Sequence, residues 1–299
     1  MTSKKTIFEH VSIILPAKNE AHNIERLLQE LLEKYPDAEI ILVNDGSTDN
    51  TETIAKKLAI KVVSHPYSLG NGAAIKTGAR VAQGDIFVFM DADGQHQAKD
   101  IEKLMIKFEE GYDMVIGSRD FHAQASTLRF LANTFYNKLA SIMTGYKIQD
   151  LTSGFRVTRA RHFKKFLYLL PNGFSYPTTS TMAFFRSGFP IAYVPIATEK
   201  RRGKSNISLF KDGLRFLLII IKIGTLFSPM RLFLPISLFL FSLGLSYYAY
   251  TFLSEHRFTN MSALLLTSSL LVFLIGIISE QISSLHYKHA SDDARRTKR

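Results

Sequence analysis

Two long apolar runs near the C-terminus, Leu232 to Leu253 and Met261 to Gln281, restrict this chain more than any other feature. Each is long enough to cross a hydrocarbon core, which takes roughly 20 helical residues. A backbone in lipid must satisfy its own polar groups, so both runs are expected to be transmembrane helices, at about 232–253 and 261–281. The linker between them, Ser254 to Asn260, is short and carries one Arg and one Glu, so the spans form a hairpin. Both outer flanks are basic, with Arg231 before the first span and Lys288, Arg295, Arg296, Lys298 and Arg299 after the second. Positive-inside bias puts those flanks in the cytoplasm, and the large N-terminal portion with them. Met1 to His10 lacks the apolar core of a cleavable signal. The expectation is an integral protein of a bacterial-type cytoplasmic (inner) membrane, with its N-terminal domain and both termini in the cytoplasm. The competing reading is a helical hairpin buried in a soluble core.

The first two hundred residues read as soluble protein in which strand and helix alternate. Val11 to Leu15, Ile40 to Val43, Lys61 to Val63, Ile86 to Met90 and Met114 to Gly117 are apolar strand patterns. Between them Ile24, Leu27, Leu28, Leu31 and Leu32 recur at helical spacing, Gly70 to Gln83 is a glycine-opened helix, and Ile101 to Phe108 is part of another. Such alternation predicts an α/β fold with a doubly wound, mostly parallel sheet. Ser126 to Thr144 follows as an amphipathic helix with Leu128, Leu131, Phe135, Leu139 and Ile142 on one side. Beyond it Thr152 to Val157 and Ile191 to Val194 are expected strands, and Ile207 to Phe227 mixes charged and apolar residues as an interfacial helix does. The expected organisation is a cytoplasmic domain over 1–206, an interfacial helical segment over 207–230, a two-helix hairpin over 231–285 and a basic tail over 286–299.

The formal charge of +11 does not point to nucleic acid, because the basic residues concentrate near the apolar runs and beside the candidate site rather than along a groove. Anionic lipid and phosphate substrates explain them better. With no cysteine, any metal must be held by oxygen or imidazole.

Chemistry concentrates at the strand exits. Asp91-Ala92-Asp93-Gly94-Gln95-His96 follows the fourth strand pattern, so two carboxylates stand where a buried strand ends. A parallel sheet binds ligands at that edge, and carboxylates there can hold a divalent cation against a diphosphate. An acid-x-acid triplet also occurs in ordinary turns and caps. Its company decides the matter: Leu15-Pro16-Ala17-Lys18-Asn19-Glu20 and Asn44-Asp45-Gly46-Ser47-Thr48-Asp49 precede it, and Gly117-Ser118-Arg119 and Asp150-Leu151-Thr152-Ser153-Gly154-Phe155-Arg156 follow.

This ordered series, covering roughly the first 210 residues, resembles an inverting family 2 glycosyltransferase of the GT-A fold. With the spans, it is similar to the dolichol-phosphate mannose synthase and bactoprenol-phosphate glycosyltransferase branch. The resemblance implies a nucleotide-sugar donor bordered by Pro16, Ala17, Asn19, Glu20, Asp45, Gly72, Lys76, Asp91 and Ala92, with Asp45 on the base or ribose. The small residues around Gly72 would let the helix approach the nucleotide. Asp91, Asp93 and Gln95 form the implied metal set for Mg²⁺ or Mn²⁺, and His96 is read as a structural neighbour. Asp93, Asp150 and Arg119 are the implied catalytic set.

A polyprenyl phosphate acceptor needs cations near the membrane. Arg119, Arg129, Asn133 and the basic loop carrying Lys200, Arg201, Arg202 and Ser205 are placed for that, Arg129 and Asn133 lying four apart on one helical face. The family usually has an Arg two residues ahead of Gly-x-Ser-Lys with two residues between; here Lys200 stands there and Asn206 replaces the final Lys. Asp150 would be the general base for a sugar-hydroxyl acceptor. A lipid phosphate, with a second pKa of about 6, is already an ionised nucleophile and needs none.

UDP is the preferred nucleotide and GDP-mannose the second choice, while the sugar stays open among glucose, an N-acetylhexosamine, mannose and a modified pentose. A processive polysaccharide synthase is disfavoured, because its Gln-x-x-Arg-Trp motif needs a Trp that this chain lacks. A sugar-hydroxyl transferase and a non-catalytic membrane-tethered nucleotide-sugar-binding protein are the alternatives. Ser262, Ser268, Ser269, Gly276 and Ser279 offer small or polar packing positions for a homo-oligomer.

Overall fold

Alternating buried strands and one-sided helices build the N-terminal part of the chain. A computed structural model describes residues 8–119, 127–173, 175–197, 217–218, 220–222, 224–226 and 228–296, of which 127–132 and 284–296 as backbone only. The expected interfacial helix over 207–227 lies largely outside the described residues. In order come β1 (Val11–Ala17), α1 (Ala21–Lys34), β2 (Glu39–Asn44), α2 (Thr51–Lys56), β3 (Lys61–Ser64), α3 (Asn71–Val81), β4 (Ile86–Phe89), α4 (Asp100–Glu109) and β5 (Met114–Arg119). Then follow α5 (Thr127–Thr144), β6 (Arg156–Arg159), α6 (Ala160–Lys165), α7 (Tyr176–Arg186), β7 (Ile191–Ile196), α8 (Pro229–Glu255) and α9 (Asn260–Arg296).

The seven strands form one sheet in the order β3-β2-β1-β4-β6-β5-β7. All neighbours are parallel except β6, which runs antiparallel between β4 and β5 and pairs Phe89 with Arg156 and Ile116 with Arg156. Every residue of β1 is buried, as helices on both faces of a parallel sheet require. Ile24, Leu27, Leu28 and Leu31 of α1 pack inward at the spacing the sequence predicts.

One expectation needs correction. The strand expected over Thr152–Val157 starts only at Arg156. The carboxylate of Asp150 accepts the N–H groups of Thr152 and Ser153, both at 3.1 Å, so a side chain takes the donors that a strand would give to its neighbours. The helix expected over Ser126 to Thr144 is present as α5, and part of its apolar side is exposed. Phe135 and Ile142 are more than half exposed, whereas Ala140, Met143 and Thr144 are buried. Periodicity locates an apolar face but not what covers it.

The chain forms two compact units, Met1–Lys138 with Lys147–Ile219, and Leu139–Tyr146 with Ile220–Arg299. In the second, the most apolar 18-residue stretches of α8 and of the first 24 residues of α9 have mean hydropathies of 1.7 and 2.4, and both helices are long and apolar enough to cross a membrane. Only 11% and 17% of their most apolar stretches are buried, against the buried hairpin of a soluble core. Ser237 and Ser269 exchange hydroxyl-to-carbonyl hydrogen bonds at 3.0 and 2.9 Å, and Gly276 lies against Met230 and Phe233. Ser269 and Gly276, offered above for oligomer packing, thus serve contacts inside the hairpin. The Glu280 carboxylate accepts the Met230 N–H at 3.3 Å, satisfying a donor at the positive end of α8. Arg231 donates to the carbonyls of Ile142 and Met143, capping the end of α5.

Candidate active site

The exits of β1 and β2 are neighbours because Ala17 pairs with Asn44, and their loops clasp each other. Asn19 has a left-handed backbone, φ 58°, and its side-chain oxygen accepts the Thr48 N–H at 2.8 Å. Its own N–H donates to Ser47 Oγ at 3.0 Å, and the Glu20 N–H donates to Thr51 Oγ1 at 2.9 Å. Pro16 and Ala17 are buried strand residues at this edge. Part of the motif chemistry therefore builds the rim itself.

Asp45 is 4% exposed and fully engaged. Its Oδ1 meets His65 Nδ1 and the Leu69 N–H, both at 2.8 Å, while Oδ2 accepts Ser68 Oγ–H at 2.7 Å and the Gly70 N–H at 2.9 Å. Burial works to raise its pKa, but these four donors outweigh it and hold the carboxyl below the usual range. A carboxylate has about four lone-pair positions, and here the 65–70 loop uses them. The role this geometry gives Asp45 is to anchor that loop.

Gly72 and Lys76, expected beside the nucleotide, meet the segment 170–173 in this structure. A Cβ on Gly72 would lie 2.1 Å from the Pro171 carbonyl oxygen and 2.7 Å from that of Gly173. The N–H groups of Gly72 and Ala73 donate to Gly173 and Asn172, so the first turn of α3 is satisfied by protein backbone. Lys76 Nζ donates to Leu170 O at 3.1 Å and to the Asn172 side chain. The small residues allow a close approach, as expected, but of the chain to itself. Gly72→Ala is expected to cost about 3 kcal/mol through backbone overlap and to lower the thermal midpoint, whereas Thr77→Ala should cost clearly less. Thermal unfolding of the two purified variants checks this.

Asp91, at the exit of β4, is the centre of the site. Asn71 Nδ2 donates to its Oδ1 at 3.3 Å. Gly154 comes so close that a Cβ there would stand 2.8 Å from Asp91 Oδ2 and 3.3 Å from Tyr176 Oη, and that hydroxyl donates to Gly154 O at 3.1 Å. Ala92 is buried, while Asp91, Asp93 and Gln95 are half-buried, and Asp93 Oδ1 accepts the Gln95 N–H at 3.1 Å. Among the described residues no group of three or more His, Asp or Glu could hold a cation alone. Two carboxylates with an amide oxygen nonetheless fit a hard divalent cation that completes its shell with phosphate oxygens and water. His96 is stacked on Phe155 at 4.9 Å and buried, which pushes its pKa down to about 4 and keeps it neutral. Its structural reading agrees with this placement.

Arg119, at the end of β5, faces Asp150 with a two-point pair: Nε to Oδ2 at 2.9 Å and Nη2 to Oδ1 at 3.0 Å. Burial opposes both charges. The Arg119 guanidinium and the N–H donors around Asp150 outweigh it and hold that carboxyl below its ordinary range. For Arg119, the charges of Asp150 and then Asp91 outweigh burial and raise its pKa. A carboxylate so held is a poor proton acceptor near neutral pH. This is the electrostatics of an orienting partner rather than of a base.

Asn133 is half-buried on α5. The side chain of Arg129 and the loop with Lys200, Arg201, Arg202 and Ser205 lie outside the described residues. Two further residues bear on the site: Tyr176, whose hydroxyl reaches the Asp91 neighbourhood, and Arg156, which ends the Asp150 to Arg156 motif and is fully buried. An Arg inside the strand pattern Phe155-Arg156-Val157 is the sequence signal for the second.

A family model described as glycosyl transferase family 2 matches residues 12–167, and one described as the GtrB C-terminal hairpin matches residues 228–285. The undecaprenyl-phosphate 4-deoxy-4-formamido-L-arabinose transferase of Shewanella sediminis is 33% identical over 56% of this chain and 56% of its own length. The polyprenol monophosphomannose synthase of Mycolicibacterium smegmatis is 28% identical over 66% of this chain and 80% of its own. Among solved structures, glucosyl-3-phosphoglycerate synthase from Mycobacterium tuberculosis, in complex with Mn²⁺, uridine diphosphate and glucosyl-3-phosphoglycerate, superposes with a TM-score of 0.61 at 20% identity, covering 75% of this chain and 85% of that one. The likeness identifies the GT-A fold.

Proposed function

Because this chain belongs to glycosyl transferase family 2, we propose that it transfers a sugar from a nucleotide donor to a polyprenyl phosphate at the membrane surface. The observation that carries this reading is the union in one chain of the family 2 domain with an apolar C-terminal hairpin of the GtrB type. A soluble acceptor would not need such a hairpin, whereas the phosphate of a polyprenyl lipid is held at the bilayer interface. The two polyprenyl-phosphate enzymes among the relatives support the same acceptor.

The reaction is an in-line displacement with inversion. A phosphate oxygen of the lipid forms a bond to the anomeric carbon as the bond from that carbon to the donor diphosphate breaks, giving a lipid-phosphate-linked sugar and a nucleoside diphosphate. Asp91, Asp93 and Gln95 would hold Mg²⁺ or Mn²⁺, whose charge offsets the negative charge growing on the leaving diphosphate. Asp150 holds the Arg119 guanidinium in one plane, and that side chain, 33% exposed, offers its charge to an incoming phosphate. No residue has to remove a proton, since a lipid phosphate with a pKa of about 6 enters ionised. UDP is the preferred nucleotide. The basic flanks of the hairpin support a cytoplasmic position for the domain and both termini.

The test is a transfer assay with full-length protein in detergent, Mg²⁺ or Mn²⁺, undecaprenyl phosphate and a panel of UDP- and GDP-sugars. The expected result is nucleoside diphosphate release with a lipid-linked product for one donor, abolished by EDTA. Release only with a sugar-hydroxyl acceptor would overturn the acceptor assignment. Nucleotide binding without turnover across the panel would favour the tethered binding protein.

A further inference from the structure

Arg156 is the largest fully buried side chain among the described residues, at 0% exposure, and the transfer chemistry above makes no use of it. It is always charged, and taking that charge out of water is expensive. Yet no carboxylate among the described residues pairs with it: Nη1 donates to Pro177 O at 3.2 Å, Ser180 Oγ at 2.8 Å and Thr181 Oγ1 at 3.2 Å, and Nη2 donates to Ser153 O. Its Nε is buried without a partner. The guanidinium lies 5.8 Å from the centre of the Tyr176 ring. Stability alone does not explain such a residue, because an apolar side chain of similar volume is often tolerated or preferred at a buried ionic position.

What it joins is informative. Ser153, whose carbonyl it takes, gives its N–H to Asp150 Oδ1 at 3.1 Å and its hydroxyl to Gly117 O at 2.6 Å. The next residue, Gly154, is wedged between the Tyr176 hydroxyl and Asp91. Pro177, Ser180 and Thr181 belong to the first turns of α7, which begins with that same Tyr176. Burial works to lower the Arg156 pKa, and the charges of Tyr176, Tyr193, Asp150 and Asp91 act against it, so both acids of the site sense this cation.

Resting on the transfer reaction proposed above, we propose that Arg156 is a positioning residue, a buried fixed cation that locks the start of α7 to the Asp150–Gly154 loop and so sets where Asp91 and Asp150 stand. It touches neither substrate. A slack lock leaves the donor able to bind but holds the two carboxylates in the wrong relation to the reacting bond. Displacements of about 1 Å at a site of this kind are sufficient to slow the chemical step strongly.

The experiment compares wild type, Arg156→Met and Arg156→Lys, all full length, in the transfer assay, with donor-binding sites counted by UDP titration in Mn²⁺ and folding followed by thermal unfolding. Per binding site, Arg156→Met should lower kcat about 30-fold with the donor KM within about threefold of wild type, and Arg156→Lys should recover part of that loss. A role in folding alone would lower the number of binding sites and leave kcat per site unchanged, which overturns the proposal. Equal loss in both variants overturns the cation's part in it. Should Arg156→Met fail to fold, Arg156→Lys carries the comparison, and wild-type kcat per site in that variant sinks the idea. A wild type silent with every donor and lipid marks instead the failure of the transfer reading.

Discussion

Asp93→Ala is expected to fold normally and to lose transfer by about 10³-fold or more, which corresponds to roughly 4 kcal/mol of transition-state stabilisation. The folding half follows from its surroundings. Asp93 is half-buried in a loop beyond β4, and the bond it gives the loop, from the Gln95 N–H, is a local turn contact. The activity half follows from the donor set: with only two carboxylates at the exit of β4, removing one leaves Asp91 to hold a cation almost alone. Asp93→Asn keeps an oxygen for the Gln95 N–H while removing the charge. It should be nearly as inactive as Asp93→Ala, with a weaker response to added Mn²⁺, whereas near-wild-type turnover in Asp93→Asn would reduce the residue to a turn former. Kinetics at several Mn²⁺ concentrations, with calorimetric Mn²⁺ and UDP binding, decide between them.

The second large effect separates Arg119 from Asp150. Arg119→Met leaves the buried Asp150 carboxylate without its cation, at a cost of about 3 kcal/mol, and removes the cation offered to the acceptor phosphate. Transfer should fall by about 10²-fold or more, mainly through the lipid KM. Asp150→Asn should reduce turnover only partially. The sign of the pH dependence is decisive. The Asp150 pKa is depressed in the folded protein, so the pair's stabilisation is complete above the ordinary carboxylate value of about 3.9 and is lost only as pH falls through its lower folded value. Between pH 5 and pH 9, as approximate limits of an assay, Asp150 does not titrate. The acid limb of the rate profile should therefore lie at about 6, where the lipid phosphate ionises, and should persist in Asp150→Asn. Turnover abolished in the variant with donor binding intact would restore Asp150 as a general base.

Much of this architecture was legible in the chain because it depends on periodicities that neighbouring residues carry. The apolar runs at 232–253 and 261–281 lie within α8 and α9, and the strand patterns ending at Leu15, Val43, Met90 and Gly117, within two residues of the observed ends, put the motifs at one edge of the sheet. The position of Asp91 and Asp93 followed directly, since a strand that ends on an acid-x-acid triplet delivers both acids to that edge. By the same token the sequence pattern carried no information about which distant group each motif residue would meet. Asp45 is engaged by residues 65–70, Lys76 by Leu170 and Asn172, and Gly72 by the backbone at 171–173. The late start of β6 at Arg156 depends likewise on the Asp150 side chain taking two N–H groups that a longer strand would have used.

The sequence by itself determined the element types, the membrane hairpin, the strand-end chemistry and the family, because propensity, hydrophobic period and motif order are local properties of the chain. Only the tertiary structure decided which polar groups remain available to a substrate. Buried donors and acceptors must be paired, and packing chooses the partner: it tied Asp45 and Lys76 to the protein's own loops, set Asp150 against Arg119, and placed an uncompensated Arg156 behind both acids.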